Sequence, residues 1–233
     1  MIDSIDQQAM YDYYNKRPAV GDSWGPPGAI GGQQPGPERD QLAADDQRRF
    51  ATDLAEWMRD RRVLELACGT GCSTAIVAET VRSVLATELT PAPLQLAIAR
   101  GLPAEKVRFA QWNAFDLLAI PGNFDALVAT GFFDHVPKIK SDVFLFGVAQ
   151  RVGPGGRVFL SGSQWTDRAK RLRVYRESCA DTYMRRPMQD GTEYLILDNE
   201  FTAAELQEIF SSRGDDVTVC YGFFRWWVRY SVP

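Results

Sequence analysis

The segment Val63-Leu64-Glu65-Leu66-Ala67-Cys68-Gly69-Thr70-Gly71-Cys72 constrains this chain more than any other stretch. It reads as a short apolar strand, a turn holding two glycines, and a helix that starts near Ser73. Glycine lets the backbone come close to a ligand. The helix start that follows offers N–H groups with no intrahelical acceptor. Glu65 puts a carboxylate inside the apolar strand, just before the turn. The next acidic residue at a strand end is Glu88, in Val84-Leu85-Ala86-Thr87-Glu88. That is about the 20-residue offset at which a nucleotide-binding βα unit holds a ribose. Two other glycine loops fail here. G-x-G-x-x-G meets Thr74 at its third glycine when started at Gly69, and Ala67 is not glycine when started there. G-x-x-x-x-G-K-[ST] is absent. With few glycines and no lysine, the turn is poorly equipped for a pyrophosphate.

From Arg62 onward, strand and helix patterns alternate. Strands are expected at Val63–Ala67, Ser83–Glu88, Val107–Gln111, Phe124–Ala129 and Arg157–Ser161. Helices are expected at Cys72–Val81, from Pro91 to near Gly101, and at Lys140–Arg151. Continuous apolar strands between helices imply a parallel sheet covered on both faces, with ligands beyond the carboxyl ends of the strands. Thr202 with Glu205 reads as a capping box for a helix over Ala203–Ser212. The alternation around Val217–Tyr221 and Phe223–Tyr230 reads as a closing antiparallel hairpin. The expected fold is therefore α/β, a Rossmann-like doubly wound sheet, mostly parallel, with a C-terminal antiparallel hairpin strand. Residues 61–233 form this core, and residues 1–60 form an N-terminal helical and loop lid. Residues 38–60 read as an amphipathic helix. The basic run Arg168, Lys170, Arg171, Arg173, Arg176, Arg185 and Arg186 reads as a solvated helix face, or as a source of one or two arginines for a substrate cavity. Glu193–Asp198 reads as an extra short strand.

The glycine turn resembles the signature loop of class I S-adenosylmethionine-dependent methyltransferases, with Ala67 at the place of the first glycine. Later segments match the same family in order, so the resemblance covers roughly Arg61 to Ser163. It implies S-adenosyl-L-methionine as cofactor and a small-molecule methyl acceptor with an O, N or C nucleophile. It implies that Ala67, Gly69 and Gly71 of the turn bind the cofactor, with Ala67 and Gly69 at the methionine end, and that Glu65 orients the turn through backbone amides, directly or via water. Glu88 would grip the ribose diol. Asn113, standing where the family has Asp, and Ala114 would meet the adenine, with Asp116 as the alternative acceptor and Trp112 or Leu89 against the ring. Thr130 would touch the cofactor through its backbone. The N-terminal Tyr13-Tyr14-Asn15-Lys16-Arg17 resembles a lid helix whose Tyr and Arg close over the methionine end, with Tyr13 or Tyr14 pointing inward and Arg17 suited to the carboxylate. Tyr13, Trp24, Phe133 and Trp227 are candidates for the substrate wall. His135, with Asp134 beside it, is a candidate base; a packing role at the start of a helix is the competing reading for the histidine. The resemblance also leaves open a same-fold enzyme that does not methylate and a binding protein without catalysis.

Composition bounds the remaining possibilities. A net charge of −4 and a pI near 5.2 argue against a nucleic-acid binder. No apolar run approaches the roughly 18 residues of a membrane span. The first residues lack the basic and apolar parts of a secretory leader. The cysteines, Cys68, Cys72, Cys179 and Cys220, are scattered, which suits reduced thiols and a cytoplasmic chain. A single histidine excludes multi-histidine metal sites, and no metal is expected. A monomer or a homodimer is expected.

Overall fold

The computed structural model describes residues 4–17, 37–164, 172–177 and 179–233. Trp24 and the Pro/Gly-rich segment around it lie outside the described residues. The described residues include ten strands and six α-helices. The helices are α1 (Ser4–Lys16), α2 (Pro37–Trp57), α3 (Cys72–Ala78), α4 (Pro91–Ala99), α5 (Ser141–Val152) and α6 (Ala203–Ser211). The strands are β1 (Arg62–Glu65), β2 (Ser83–Glu88), β3 (Val107–Gln111), β4 (Ala126–Ala129), β5 (Arg157–Ser163), β6 (Arg173–Tyr175), β7 (Thr182–Pro187), β8 (Glu193–Leu197), β9 (Asp215–Tyr221) and β10 (Arg225–Ser231).

Seven strands form one sheet in the order β3-β2-β1-β4-β5-β10-β9. The first five are parallel, and β10 joins β5 and β9 antiparallel. Strand order reverses between β1 and β4, which opens a crevice at their carboxyl ends. The apolar strands are continuous because each feeds two cores, with side chains alternating between faces. Leu64, Leu127, Leu160 and Trp226 enter a core with α5 and α6. Their neighbours Val63, Val128, Phe159 and Trp227 enter a second core with Phe50, Leu54 and Met58 of α2. The Thr202–Glu205 capping box forms as expected and starts α6. Among the described residues, no helix is long and apolar enough to cross a membrane.

The basic run departs from the helix expected for it. Within its described part, Arg173–Tyr175 and Thr182–Pro187 are strands of a separate antiparallel sheet, β6-β7-β8. Val174, Tyr175, Thr182 and Tyr183 favour extended backbone. Arginines of the run find carboxylate partners: Arg186 with Asp198 at 2.5 Å and Arg173 with Glu200 are largely shielded, while exposed Arg185 pairs with Glu193 at 3.0 Å. This small sheet supports α1, which packs along β8. Buried Asn199 joins it to the loop after β4, taking the Thr182 N–H and donating to Val136 O at 3.0 Å.

Candidate functional site

β1 ends at Glu65, and the chain turns through Ala67, Gly69 and Gly71, all at positive φ (51°, 57° and 80°). For alanine that conformation costs roughly 1–2 kcal/mol. Cys68 N–H donates to Thr87 O at 2.9 Å, which lays the turn across the end of β2. Glu88 completes the joint. Its Oε2 accepts from Gly69 N–H at 3.1 Å, and its Oε1 accepts from the Thr90 N–H at 2.9 Å and the Thr90 hydroxyl at 2.5 Å. Gly71 serves packing. A Cβ there would lie 3.0 Å from Ala97 Cβ, so it lets α3 begin against α4, and it does not line the cavity.

Glu65 is fully buried, and neither carboxylate oxygen has a hydrogen-bond partner. It makes no direct hydrogen bond to the backbone amides of the turn. Burial raises its pKa to about 7, partly offset by the nearby Thr74 hydroxyl. The folded pKa lies above the ordinary 4.5, so the group's contribution is fully present below pH 4.5 and is lost as pH rises towards 7. Ionising it in the fold costs on the order of 3 kcal/mol at 1.36 kcal/mol per unit. Glu65→Gln is therefore expected to gain about that much stability at pH 8 relative to its difference from wild type at pH 4.5. Urea unfolding at the two pH values measures this. An equal difference at both would show that Glu65 ionises without penalty.

A cavity of about 430 Å³ opens beyond the carboxyl ends of β1, β2 and β4. The turn gives it Ala67 and Gly69, and the end of β2 with the head of α4 gives Glu88, Leu89, Thr90 and Pro93. The loop after β3 gives Trp112, Asn113, Ala114 and Phe115. The loop after β4 gives Thr130, Gly131, Phe132 and His135, and α1 roofs it with Gln7, Gln8, Met10, Tyr11 and Tyr14. Asn113 Oδ1 accepts from Phe115 N–H at 3.0 Å, capping the 3-10 turn Ala114–Ala119. Thr130 Oγ1 lies 2.8 Å from Ser73 Oγ, which ties the β4 loop to the start of α3.

At the α1 end the imidazole of His135 is fixed from both sides. Nδ1 lies 2.6 Å from Leu197 O. A carbonyl only accepts, so Nδ1 carries the proton. Nε2 then holds the lone pair and accepts from the Tyr14 hydroxyl at 2.7 Å. Burial lowers the pKa of His135, with Asp198 opposing, and burial raises that of Tyr14. The pair rests as neutral imidazole and neutral phenol.

Several other sequence candidates lie elsewhere. Phe133 is fully buried among Phe144, Phe201, Phe210 and Trp226, and the cavity is lined instead by Phe132. Trp227 is fully buried beside Phe50, with its Nε1 donating to Asp53 at 2.7 Å. Tyr13 packs against Tyr194 and Tyr14, and Arg17 lies buried over the Tyr13 ring; neither lines the cavity. Asp134 turns into the core, where Oδ2 accepts from Ser163 N–H at 2.6 Å and burial raises its pKa. It is not placed to act as a base in the cavity. The sequence reading missed Gln7, Gln8, Met10 and Tyr11. Their signal was available: together with Tyr14 they recur at three- and four-residue spacing, one helix face.

Comparisons with known proteins agree with this architecture. Residues 63–156 match the family model described as "Methyltransferase domain". A ubiquinone biosynthesis O-methyltransferase of Dechloromonas aromatica is 32% identical over 111 residues, 47% of this chain and 47% of that protein. One from Xanthomonas oryzae is 30% identical over 135 residues, 57% of this chain and 54% of that protein. The chain thus spans about half the length of these curated relatives, and 26% of an uncharacterised Synechococcus protein that it also matches. Among solved structures, a DhpI complex with S-adenosylhomocysteine superposes with a TM-score of 0.70 at 24% identity, covering 98% of both chains. The magnesium protoporphyrin IX methyltransferase of Synechocystis, with the same ligand, superposes at 0.63 and 12% identity, covering 98% of this chain and 100% of that one. Residues 63–156 thus match a methyltransferase domain, and the described residues have the fold of the class I, S-adenosylmethionine-dependent methyltransferases.

Proposed function

We propose that this chain binds S-adenosyl-L-methionine in the cavity and transfers its methyl group to an O, N or C nucleophile of a small molecule. One observation carries the reading. One cavity is lined both by a strand-end carboxylate on a glycine turn and by a neutral Tyr14–His135 pair. Its volume lies in the range of small-molecule pockets. Glu88 would accept from the ribose hydroxyls while it holds the turn. Asn113 and Ala114 would meet the adenine between Leu89 and Trp112. Ala67, Gly69 and Thr130 would border the methionine end, with Tyr14 above. Once bound, the cofactor supplies an electrophilic methyl on sulfonium sulfur. The residues then have mainly to align the acceptor and exclude water. The relatives named as O-methyltransferases support an oxygen nucleophile.

Titration calorimetry with S-adenosylmethionine and S-adenosylhomocysteine tests the binding half. Heat from both is the expected result, and silence from both at millimolar ligand ends the proposal. Formation of S-adenosylhomocysteine with added acceptors tests the transfer half. Binding without turnover on any acceptor would favour a binding protein of this fold.

A further inference from the structure

We infer that the acceptor is a neutral hydroxyl, methylated on oxygen, whose proton leaves through the Tyr14 phenol to His135; this deepens the methyl-transfer reading and rests on it. Both imidazole nitrogens are engaged, Nδ1–H with Leu197 O and Nε2 with the Tyr14 hydroxyl. The route from the cavity to Nε2 therefore runs through the phenol oxygen, which donates one proton and can accept another. Tyr14 and His135, in contact through the hydroxyl and Nε2, both line the cavity, as do Gly131 and Phe132.

The step balances. The acceptor oxygen bonds to the methyl carbon of the sulfonium donor as the C–S bond breaks, and that electron pair stays on sulfur. The acceptor proton passes to the Tyr14 oxygen while the Tyr14 proton passes to Nε2. Positive charge that began on sulfur ends on the imidazolium. The charged groups around the ring are Asp198 after β8, which favours that charge, and Arg186 of β7 and Arg17 of α1, which oppose it. Asp134 lies in the same turn as the histidine.

Basicity selects the acceptor. An imidazole held below its ordinary 6.5 is a weak base. An amine attacks through its own lone pair and needs no base to do so, so the relay gives it no advantage. Thiols (pKa about 8.5) and carboxylic acids (about 4) attack as anions with no proton to give. A hydroxyl oxygen gains positive character as its bond to carbon forms, and its proton then becomes acidic enough for a weak general base. The described cavity wall carries no lysine or arginine, which suits an uncharged acceptor.

His135 is the chain's one histidine, so nitrogen-15 histidine labelling reports a single imidazole. The expected spectrum shows a protonated Nδ1 and a bare Nε2, with Nε2 shifting in Tyr14→Phe. A protonated Nε2 at neutral pH, or an Nε2 signal unmoved by Tyr14→Phe, overturns the relay. For the acceptor class, S-adenosylhomocysteine formation is followed with catechol, aniline, thiophenol and benzoate at saturating cofactor. Transfer to catechol alone is expected, with Tyr14→Phe and His135→Asn each slower by about 100-fold. The asparagine amide can still donate to Leu197 O. In wild type the rate rises with pH through one ionisation below 6.5, and His135→Asn loses that limb. Transfer to the other probes but not to catechol, or to none of the four, rejects the hydroxyl assignment while cofactor binding by calorimetry still stands. Absence of cofactor binding rejects the methyl-transfer reading itself.

Discussion

Replacing Phe133 by alanine is expected to lower the free energy of unfolding by about 3–5 kcal/mol, the range for removing a buried aromatic ring. The ring is fully buried, and its centroid lies 5.5 to 6.3 Å from those of Phe144, Phe201, Phe210 and Trp226. It joins the loop after β4 to α5, α6 and β10. The loss should appear as a lower urea midpoint with an unchanged slope. Phe132→Ala provides the contrast, because that ring touches the cavity and packs on Phe115 and Phe144. Truncating it should cost less stability and alter ligand binding more. A loss below about 1 kcal/mol for Phe133→Ala, well under the range for a core aromatic, would place this ring outside the core.

Removal of the Glu88 carboxylate is expected to reduce affinity for S-adenosylhomocysteine by roughly 10- to 150-fold, the equivalent of about 1.5–3 kcal/mol for hydrogen bonds to a charged group. Two effects act together in Glu88→Ala. The ribose would lose its acceptor, and the N–H groups of Gly69 and Thr90 lose theirs, so the turn loosens. Thr90→Val separates them. It removes only the hydroxyl that donates to Oε1, and should change affinity several-fold less. Calorimetry of both variants reads the difference. An unchanged dissociation constant in Glu88→Ala would mean that the carboxylate holds the turn and no ligand.

The chain sequence alone determined the layered α/β sheet, because each apolar strand and each helix start is a local pattern. It also located the crevice, since the glycine turn and Glu88 flank β1 and β2 and strand order then leaves little choice. The Thr202–Glu205 cap was legible for the same reason. What sequence did not decide was which way a side chain points within a loop. Phe132 and Phe133 are adjacent and chemically identical, yet one faces the cavity and the other the core. Trp226 and Trp227 are both buried, on opposite faces of one strand. Arg173 and Arg186 looked solvated because their partners, Glu200 and Asp198, become neighbours only when the three strands of the small sheet pair. The Tyr14–His135 contact spans 121 positions, and the proton on Nδ1 is fixed by a backbone carbonyl 62 positions further on. Pattern reports periodicity along one element. Charge state and hydrogen-bond direction depend on groups that meet only after the sheets close around them.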